Sequence, residues 1–234
     1  MRNLILYKKV SSTNNIIKEY ELETIVQAQS QTAGKGRYFN TWISPKGGLY
    51  FSYKTKFSEN IIFTLIPIIV GIACHKVLQT LSSERIYLKW PNDLLNEEKK
   101  KIGGILIEKD KNKNLIIGIG INLFAQELKE NKNFDNLKIK DQNLSKIWIL
   151  SEIEKEISKY KQDFIKNKDE IFVYWKKASL YKKGDLISFL YNKDNKISGE
   201  IIELADDGRL LVKVETEFLY LDFSQIRNIM LIPS

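Results

Sequence analysis

Residues 101–123 read KIGGILIEKDKNKNLIIGIGINL. Two aliphatic, β-branched runs flank a polar stretch, 110–114, that is built from turn-forming residues. The pattern predicts adjacent strands over 102–108 and 115–123. Gly103, Gly104, Gly118 and Gly120 fall inside them. A glycine within a strand weakens it and marks close approach of a ligand or of another backbone. Four together predict either a slot in a sheet for a slim ligand or tight helix–strand packing.

Working outward, 4–10 and 24–29 have strand character. Between them Ser12, Thr13 and Asn14 offer helix-capping side chains, with Ile16, Ile17 and Tyr20 as an apolar face. The stretch 48–53 reads as an aromatic-rich strand, and 63–81 as a buried helix. A short strand over 86–90 runs into Pro91-Asn92-Asp93, a turn signal, and the charged 96–101 fits a hairpin loop. Residues 129–143, rich in Lys, Asn and Asp, read as a mobile loop; 147–160 and 164–177 have helical spacing. Beyond residue 180, turn signals recur at short intervals between strand-like runs at 186–191, 196–204, 209–215 and 218–223. That is the pattern of a small antiparallel barrel. Two domains are expected, 1–180 and 181–234, in an α+β fold.

Composition narrows the function classes. With 43% hydrophobic residues in 234, the chain can build a sizeable core. One cysteine excludes an internal disulfide and fits a reducing, cytoplasmic setting; one Cys and one His argue against a Cys/His metal site. The N-terminus lacks the apolar core and cleavage site of a signal peptide. The run 61–74 is shorter than the roughly 20 residues that span a bilayer, so no membrane association is expected. A net charge of +8 favours an anionic partner, although the lysines are scattered over many loops.

The segment 31–42, QTAGKGRYFNTW, concentrates glycine and charge. It fits neither the phosphate-loop nor the dinucleotide-binding glycine pattern. Glycines still free the backbone N–H groups to face an anion, and Lys35 and Arg37 add charge, Arg37 with a bidentate fork. Trp42 adds a flat apolar face. The alternative is a surface hairpin whose charges face water.

Taken in order, SSTN (11–14), QTAGKGRYFNTW, SPKGGLYFS (44–52), KWPND (89–93), KIGGILIE (101–108) and GIGIN (118–122) resemble the motifs of biotin–protein ligases. The resemblance covers about residues 5 to 125. It implies a mixed, largely antiparallel sheet with helices on one face, similar to class II synthetases, followed by a small SH3-like β-barrel. It also implies ATP-dependent formation of biotinyl-5'-AMP and transfer of biotin to a lysine of a biotin carboxyl carrier protein, with acetyl-CoA carboxylase's carrier subunit as the family expectation.

Carried over by position, Ser12, Thr13, Asn14 and Gln31 would hold biotin. Gly34, Lys35, Gly36 and Arg37 would close over biotin and adenylate, and Trp42 would stand on the adenine side. Lys101 would face the carboxylate and phosphate, beside Gly103 and Gly104. Asn122 and Arg227 would line the nucleotide site. Lys35, Arg37 and Lys101 are the implied catalytic groups. Mg²⁺ is expected on the ATP phosphates rather than in a protein metal site, and Asp93 is either a helper to it or a turn residue. Phe39 and Asn40 depart from the glycine and basic residue common in the family, which implies a stiffer, less cationic loop. The first strand begins close to Met1, so no DNA-binding domain and no DNA partner are expected. Exposed strand edges permit a homodimer. The rivals are a lipoate–protein ligase, which shares fold and chemistry, and a nucleic-acid-binding module.

Overall fold

The polar turn at 110–114 sets the register of the sheet. In the computed structural model, which describes residues 3–125, 133–141, 143–192 and 195–232, the Asp110 carboxylate accepts hydrogen bonds from the backbone N–H groups of Asn112 and Asn114. It also accepts one from the Asn114 side chain and pairs with Lys54 Nζ at 3.2 Å, where both side chains are almost fully buried. This closes the hairpin between β6 (Lys101–Lys109) and β7 (Leu115–Ile121) with Gly104 opposite Gly120 and Leu106 opposite Gly118. Side chains alternate between the faces of a strand. Ile117, Ile119 and Ile121 therefore point to one face, and Gly118 and Gly120 open the other.

The remaining strands are β1 (Asn3–Tyr7), β2 (Thr24–Ala28), β3 (Leu49–Thr55), β4 (Tyr87–Lys89) and β5 (Asp93–Leu95). They complete a seven-stranded mixed sheet in the order β1-β2-β3-β7-β6-β5-β4, antiparallel except for β1 beside β2. Three helices pack on the isoleucine face: α2 (Ile66–Leu81), α3 (Lys146–Gln162) and α4 (Phe164–Ala178). Together they bury Phe51, Tyr53, Ile119, Ile69, Ile153 and Trp175 in one core. Each such side chain contributes roughly 1.5–3 kcal/mol by burial. The helical stretch 63–81 is apolar enough to cross a membrane by composition, but 72% of it is buried inside the molecule, as a core helix is. A single turn, α1 (Thr13–Ile16), lies on the opposite, glycine-bearing face.

The strand and helix readings for the first 180 residues hold, with two corrections. Pro91 and Asn92 form the expected turn, but Asp93 already belongs to the strand Asp93–Leu95. Part of the 129–143 stretch, namely 129–132 and 142, lies outside the described residues. Around Lys101 its remainder is anchored: Lys101 N–H donates to Asn133 O (2.9 Å) and Asp135 N–H to Lys101 O (3.1 Å). These are main-chain bonds, made whatever the side chains, so composition alone does not reveal them.

The C-terminal strands are β8 (Leu186–Tyr191), β9 (Asn195–Leu204), β10 (Leu210–Val214), β11 (Glu217–Leu221) and β12 (Ile226–Leu231). They pair in the order β11-β10-β9-β8-β12, and among the described residues no pairing joins β11 to β12. The sheet is open, so the expected closed barrel is not confirmed. Its residues Ile187, Phe189, Leu210 and Val212 share the core of the larger sheet, and Trp90 Nε1–H donates to Gly208 O across the junction (3.0 Å).

Candidate active site

The glycine face of the sheet forms the floor of a cavity of about 430 Å³, a size typical of small-molecule sites. An added Cβ at Gly118 would meet Asn14 Oδ1 at 2.3 Å, and one at Gly120 would meet Trp42 Nε1 at 2.5 Å. These two glycines therefore let side chains from α1 and from the 31–42 segment lie directly on the strand. Both readings of the glycines are met in part: at Gly118 a side chain of α1 packs on the strand and at Gly120 the Trp42 ring does, while Gly104, Gly118 and Gly120 also line the cavity. Gly103 faces away, against Leu94, and does not line the cavity.

One end of the cavity is uncharged and densely hydrogen-bonded. Gln31 Oε1 accepts from Thr13 N–H (2.8 Å) and Thr13 Oγ1 (3.2 Å), and Gln31 Nε2 donates to Ser44 Oγ (2.8 Å). Ser44 Oγ in turn donates to Trp42 O (3.0 Å). The Ser52 hydroxyl sits between Thr13 Oγ1 (2.8 Å) and Asn14 Oδ1, while Asn14 Nδ2 donates to Glu108 (2.7 Å). Ser12, Thr13 and Asn14 are all buried. Ser12 occupies the N-cap position of α1 but makes no side-chain cap bond. The capping reading of 12–14 is thus replaced: Thr13 and Asn14 bond across the cavity wall, and Ser12 lines it. Such a buried, interlinked network selects ligands by hydrogen-bond pattern.

The other end is cationic. Lys101 Nζ pairs with Asp93 Oδ1 at 2.6 Å and lies 5.0 Å from the centre of the Trp42 ring. Phe134 meets the same indole edge-on at 6.3 Å. Lys89, on β4 directly opposite Asp93, also lines the cavity. Burial holds its ammonium below the usual lysine range; Asp93 opposes that shift and Lys101 adds to it. Two ammonium groups thus stand near one carboxylate that only Lys101 pairs with, an arrangement that favours an incoming anion.

The 35–41 segment is a tight hairpin over this end. Gly36 N–H donates to Asn40 O (2.7 Å), and Lys35 bridges Thr41. Tyr38 and Phe39 both adopt left-handed backbone, with φ of 54° and 63°. Non-glycine residues reach that region at a cost of roughly 1–2 kcal/mol each, and Phe39 is fully exposed. Lys35 Nζ reaches Asn15 Oδ1 (2.7 Å) and Arg37 Nη1 reaches Asn92 Oδ1 (3.2 Å).

Of the expected site residues, Ser12, Thr13, Asn14, Gln31, Lys35, Gly36, Arg37, Trp42, Lys101, Gly104 and Arg227 come together around the cavity. Gly34, Gly103 and Asn122 do not line it. Gly34 is needed for packing, since a Cβ there would lie 2.3 Å from Trp42 O. Asn122 is buried and donates to Lys101 O (3.3 Å) and Asp135 O (3.1 Å), bracing the strand that carries Lys101. Tyr38, Lys89 and Asn92 line the cavity and were not singled out. For Lys89 and Asn92 the KWPND motif was the available signal; Tyr38 carried none.

Residues 6–122 match the sequence model of the biotin/lipoate A/B protein ligase family. Among curated relatives, the chain is 29% identical over 135 residues to the chloroplastic biotin–protein ligase 1 of Arabidopsis thaliana, covering 52% of this chain and 36% of that protein. It is 32% identical over 109 residues to the bifunctional ligase/repressor BirA of Escherichia coli, covering 44% and 34%. The aligned region thus spans about a third of those relatives. Among solved structures, the biotin protein ligase of Aquifex aeolicus in complex with biotin and ATP superposes with a TM-score of 0.81 at 29% identity, over 99% of this chain and 100% of that one. The glycine floor, the Ser-Thr-Asn and glutamine wall and the cationic hairpin all lie within the matched residues or on their structural frame, and the chain belongs to the biotin/lipoate A/B protein ligase family.

Proposed function

We propose that the chain activates biotin with ATP to biotinyl-5'-AMP and passes biotin to a lysine of a biotin carboxyl carrier protein. One observation carries the reading: a neutral hydrogen-bonding pocket and a cluster of cations meet on the same glycine floor. A ureido ring needs matched donors and acceptors in a dry pocket. Thr13 and Gln31 supply them, and Gln31 keeps an amide proton beyond its bond to Ser44. A lipoyl ring has no ureido oxygen to accept that remaining proton, so biotin is favoured over lipoate.

In the first step a biotin carboxylate oxygen attacks the α-phosphorus, the Pα–O bond to the β-phosphate breaks, and pyrophosphate leaves. No protein nucleophile is required. Bringing two anions together and stabilising charge on the phosphoryl oxygens are the tasks, and Lys35, Arg37, Lys89 and Lys101 are the groups suited to them. Asp93, tied to Lys101, orients that ammonium. Mg²⁺ fits as the nucleotide's own counter-ion: Asp93 is a single carboxylate already engaged by a lysine, and no cluster of three metal-ligating side chains occurs among the described residues. In the second step the neutral amine of the carrier lysine attacks the acyl carbon and AMP leaves. An acidic carrier surface would complement the net charge of +8. The division at residue 180 and a cytoplasmic location, consistent with the single buried thiol of Cys74, belong to the same reading.

The test is incubation with biotin, ATP and Mg²⁺, followed by mass detection of biotinyl-AMP and measurement of pyrophosphate, with lipoate in competition. Neither product from biotin would overturn the proposal. Preferential turnover of lipoate would move the chain to the other branch of its family.

A further inference from the structure

Tyr38 sits where the cationic hairpin touches the C-terminal sheet. Its phenol lies against the backbone carbonyls of Phe223 and Ile226, the latter at 2.9 Å, and accepts a hydrogen bond from Arg37 Nη2 at 3.0 Å. Arg37 also donates to Phe223 O. The Arg227 guanidinium lies over the Tyr38 ring at 4.2 Å, and Arg37 lies 4.8 Å from the same ring. Phe223 in turn leans on Phe63, at the start of the core helical stretch, at 5.9 Å. One aromatic side chain thus ties the hairpin to the β11–β12 connection and packs against two guanidinium groups that line the cavity.

The geometry points to Tyr38 as a positioning residue. We propose that it latches the 35–41 hairpin to the C-terminal sheet, so that the β11–β12 connection sets how readily the cavity opens and how long the activated intermediate is kept. The part about the intermediate rests on the adenylation reading; the latch itself does not. A hydroxyl facing two carbonyls has no equivalent in phenylalanine, and that makes the test specific.

The experiment uses the full chain carrying Tyr38→Phe, which keeps the ring beneath Arg227 and removes only the hydroxyl. Without substrate, hydrogen–deuterium exchange is expected to rise severalfold in 34–42 and in 222–228 together. With biotin and ATP, adenylate released to solvent per pyrophosphate formed is expected to rise about tenfold, the scale of one lost hydrogen bond. Arg227→Met, which leaves the hydroxyl in place, should shift both readouts in the same direction by less. Faster exchange in 34–42 alone would mean that Tyr38 braces only its own loop, and would overturn the proposal. So would unchanged exchange in both segments, or an unchanged escape ratio. If the unaltered chain makes no adenylate, the functional reading fails while the exchange measurement still decides the latch.

Discussion

Gly120→Ala places a methyl group under an indole that has no room for it. The added Cβ would lie 2.5, 2.6 and 2.9 Å from Trp42 Nε1, Cε2 and Cζ2, whereas ordinary contact begins at 3.4 Å. The ring therefore has to withdraw by about 0.9 Å, the difference between 3.4 and 2.5 Å. Trp42 is only partly buried, so it can move, but Lys101 and Phe134 rest on it and move as well. Overpacking of this kind costs roughly 1–3 kcal/mol. Expressed at the reacting centre, that is about a 5- to 150-fold loss of kcat/KM for adenylate formation. Gly118→Ala supplies the contrast. Its Cβ would meet Asn14 Oδ1 at 2.3 Å, and Asn14 is 4% exposed and held by Glu108 and Ser52. It cannot swing away, so the cost should appear as lost stability, a Tm lower by roughly 5–10 °C for a chain of this size. Biotin-dependent pyrophosphate release and thermal unfolding of both variants separate the two outcomes. If Gly120→Ala kept wild-type adenylation, or if both variants lost stability equally and activity equally, the account of the glycine floor would be refuted.

Two further outcomes follow from single charges. Lys101→Ala should lower adenylate formation by roughly 10²–10³-fold, as loss of one preorganised electrostatic group does, while Tm stays within a few degrees; near-normal pyrophosphate release would remove Lys101 from the chemistry. Asp110 is held at about 2, since hydrogen bonds from Asn114, Lys54 and Asn112 outweigh the opposing effect of burial. Its folded value lies below its unfolded one, so its contribution is complete above about pH 4 and is lost as the pH falls through about 2; at full strength it is at most roughly 2 kcal/mol. The stability gap between the native chain and Asp110→Asn in urea should therefore close between about pH 4 and pH 2, and a gap that stays constant would contradict the assignment.

Local rules were enough to read β6, β7, the core helix and the 110–114 turn, because each is decided within its own segment: alternation, apolar run, turn chemistry. Most of the motif residues from Ser12 to Lys101 reach the cavity, but Gly34 does not, and neither do Gly103 and Asn122. What escaped depends on pairing across distance. For Asp93 the sequence leaves a turn residue and a functional helper both open, and the pairing of its strand with both β4 and β6 is not visible there. β12 went unread because its strand state depends on pairing with β8, some 40 positions earlier in the chain. Gly103 and Gly104 are neighbours in sequence, but alternation sends one to each face, and only knowledge of which face bears the ligand separates them. Tyr38 is a loop aromatic whose meaning arises from two carbonyls more than 180 positions away. Asn133 and Asp135 look like loop polarity until Lys101 is seen between them.

Lys89 shows how such a hidden pairing bears on function. Its depressed ammonium arises chiefly from burial, and the nearby Lys101 charge deepens the depression while Asp93 only partly compensates. A triphosphate entering the cavity would reverse the balance, because it places several negative charges beside two ammonium groups, of which only Lys101 is paired with a carboxylate. Nucleotide binding should then raise the Lys89 pKa, and by linkage protonation of Lys89 should tighten nucleotide binding. The sign is fixed: affinity is complete below the pKa of the free protein and declines as the pH rises through it, earlier than for an ordinary lysine near about 10.4. Calorimetric titration with a non-hydrolysable ATP analogue, carried upward in pH from neutrality, should show this decline, along with proton uptake on binding at the alkaline end. Lys89→Met should bind more weakly at neutral pH and lose the decline. If the variant kept the same pH profile as the native chain, the titrating group would lie elsewhere and Lys89 would be only a wall of the cavity.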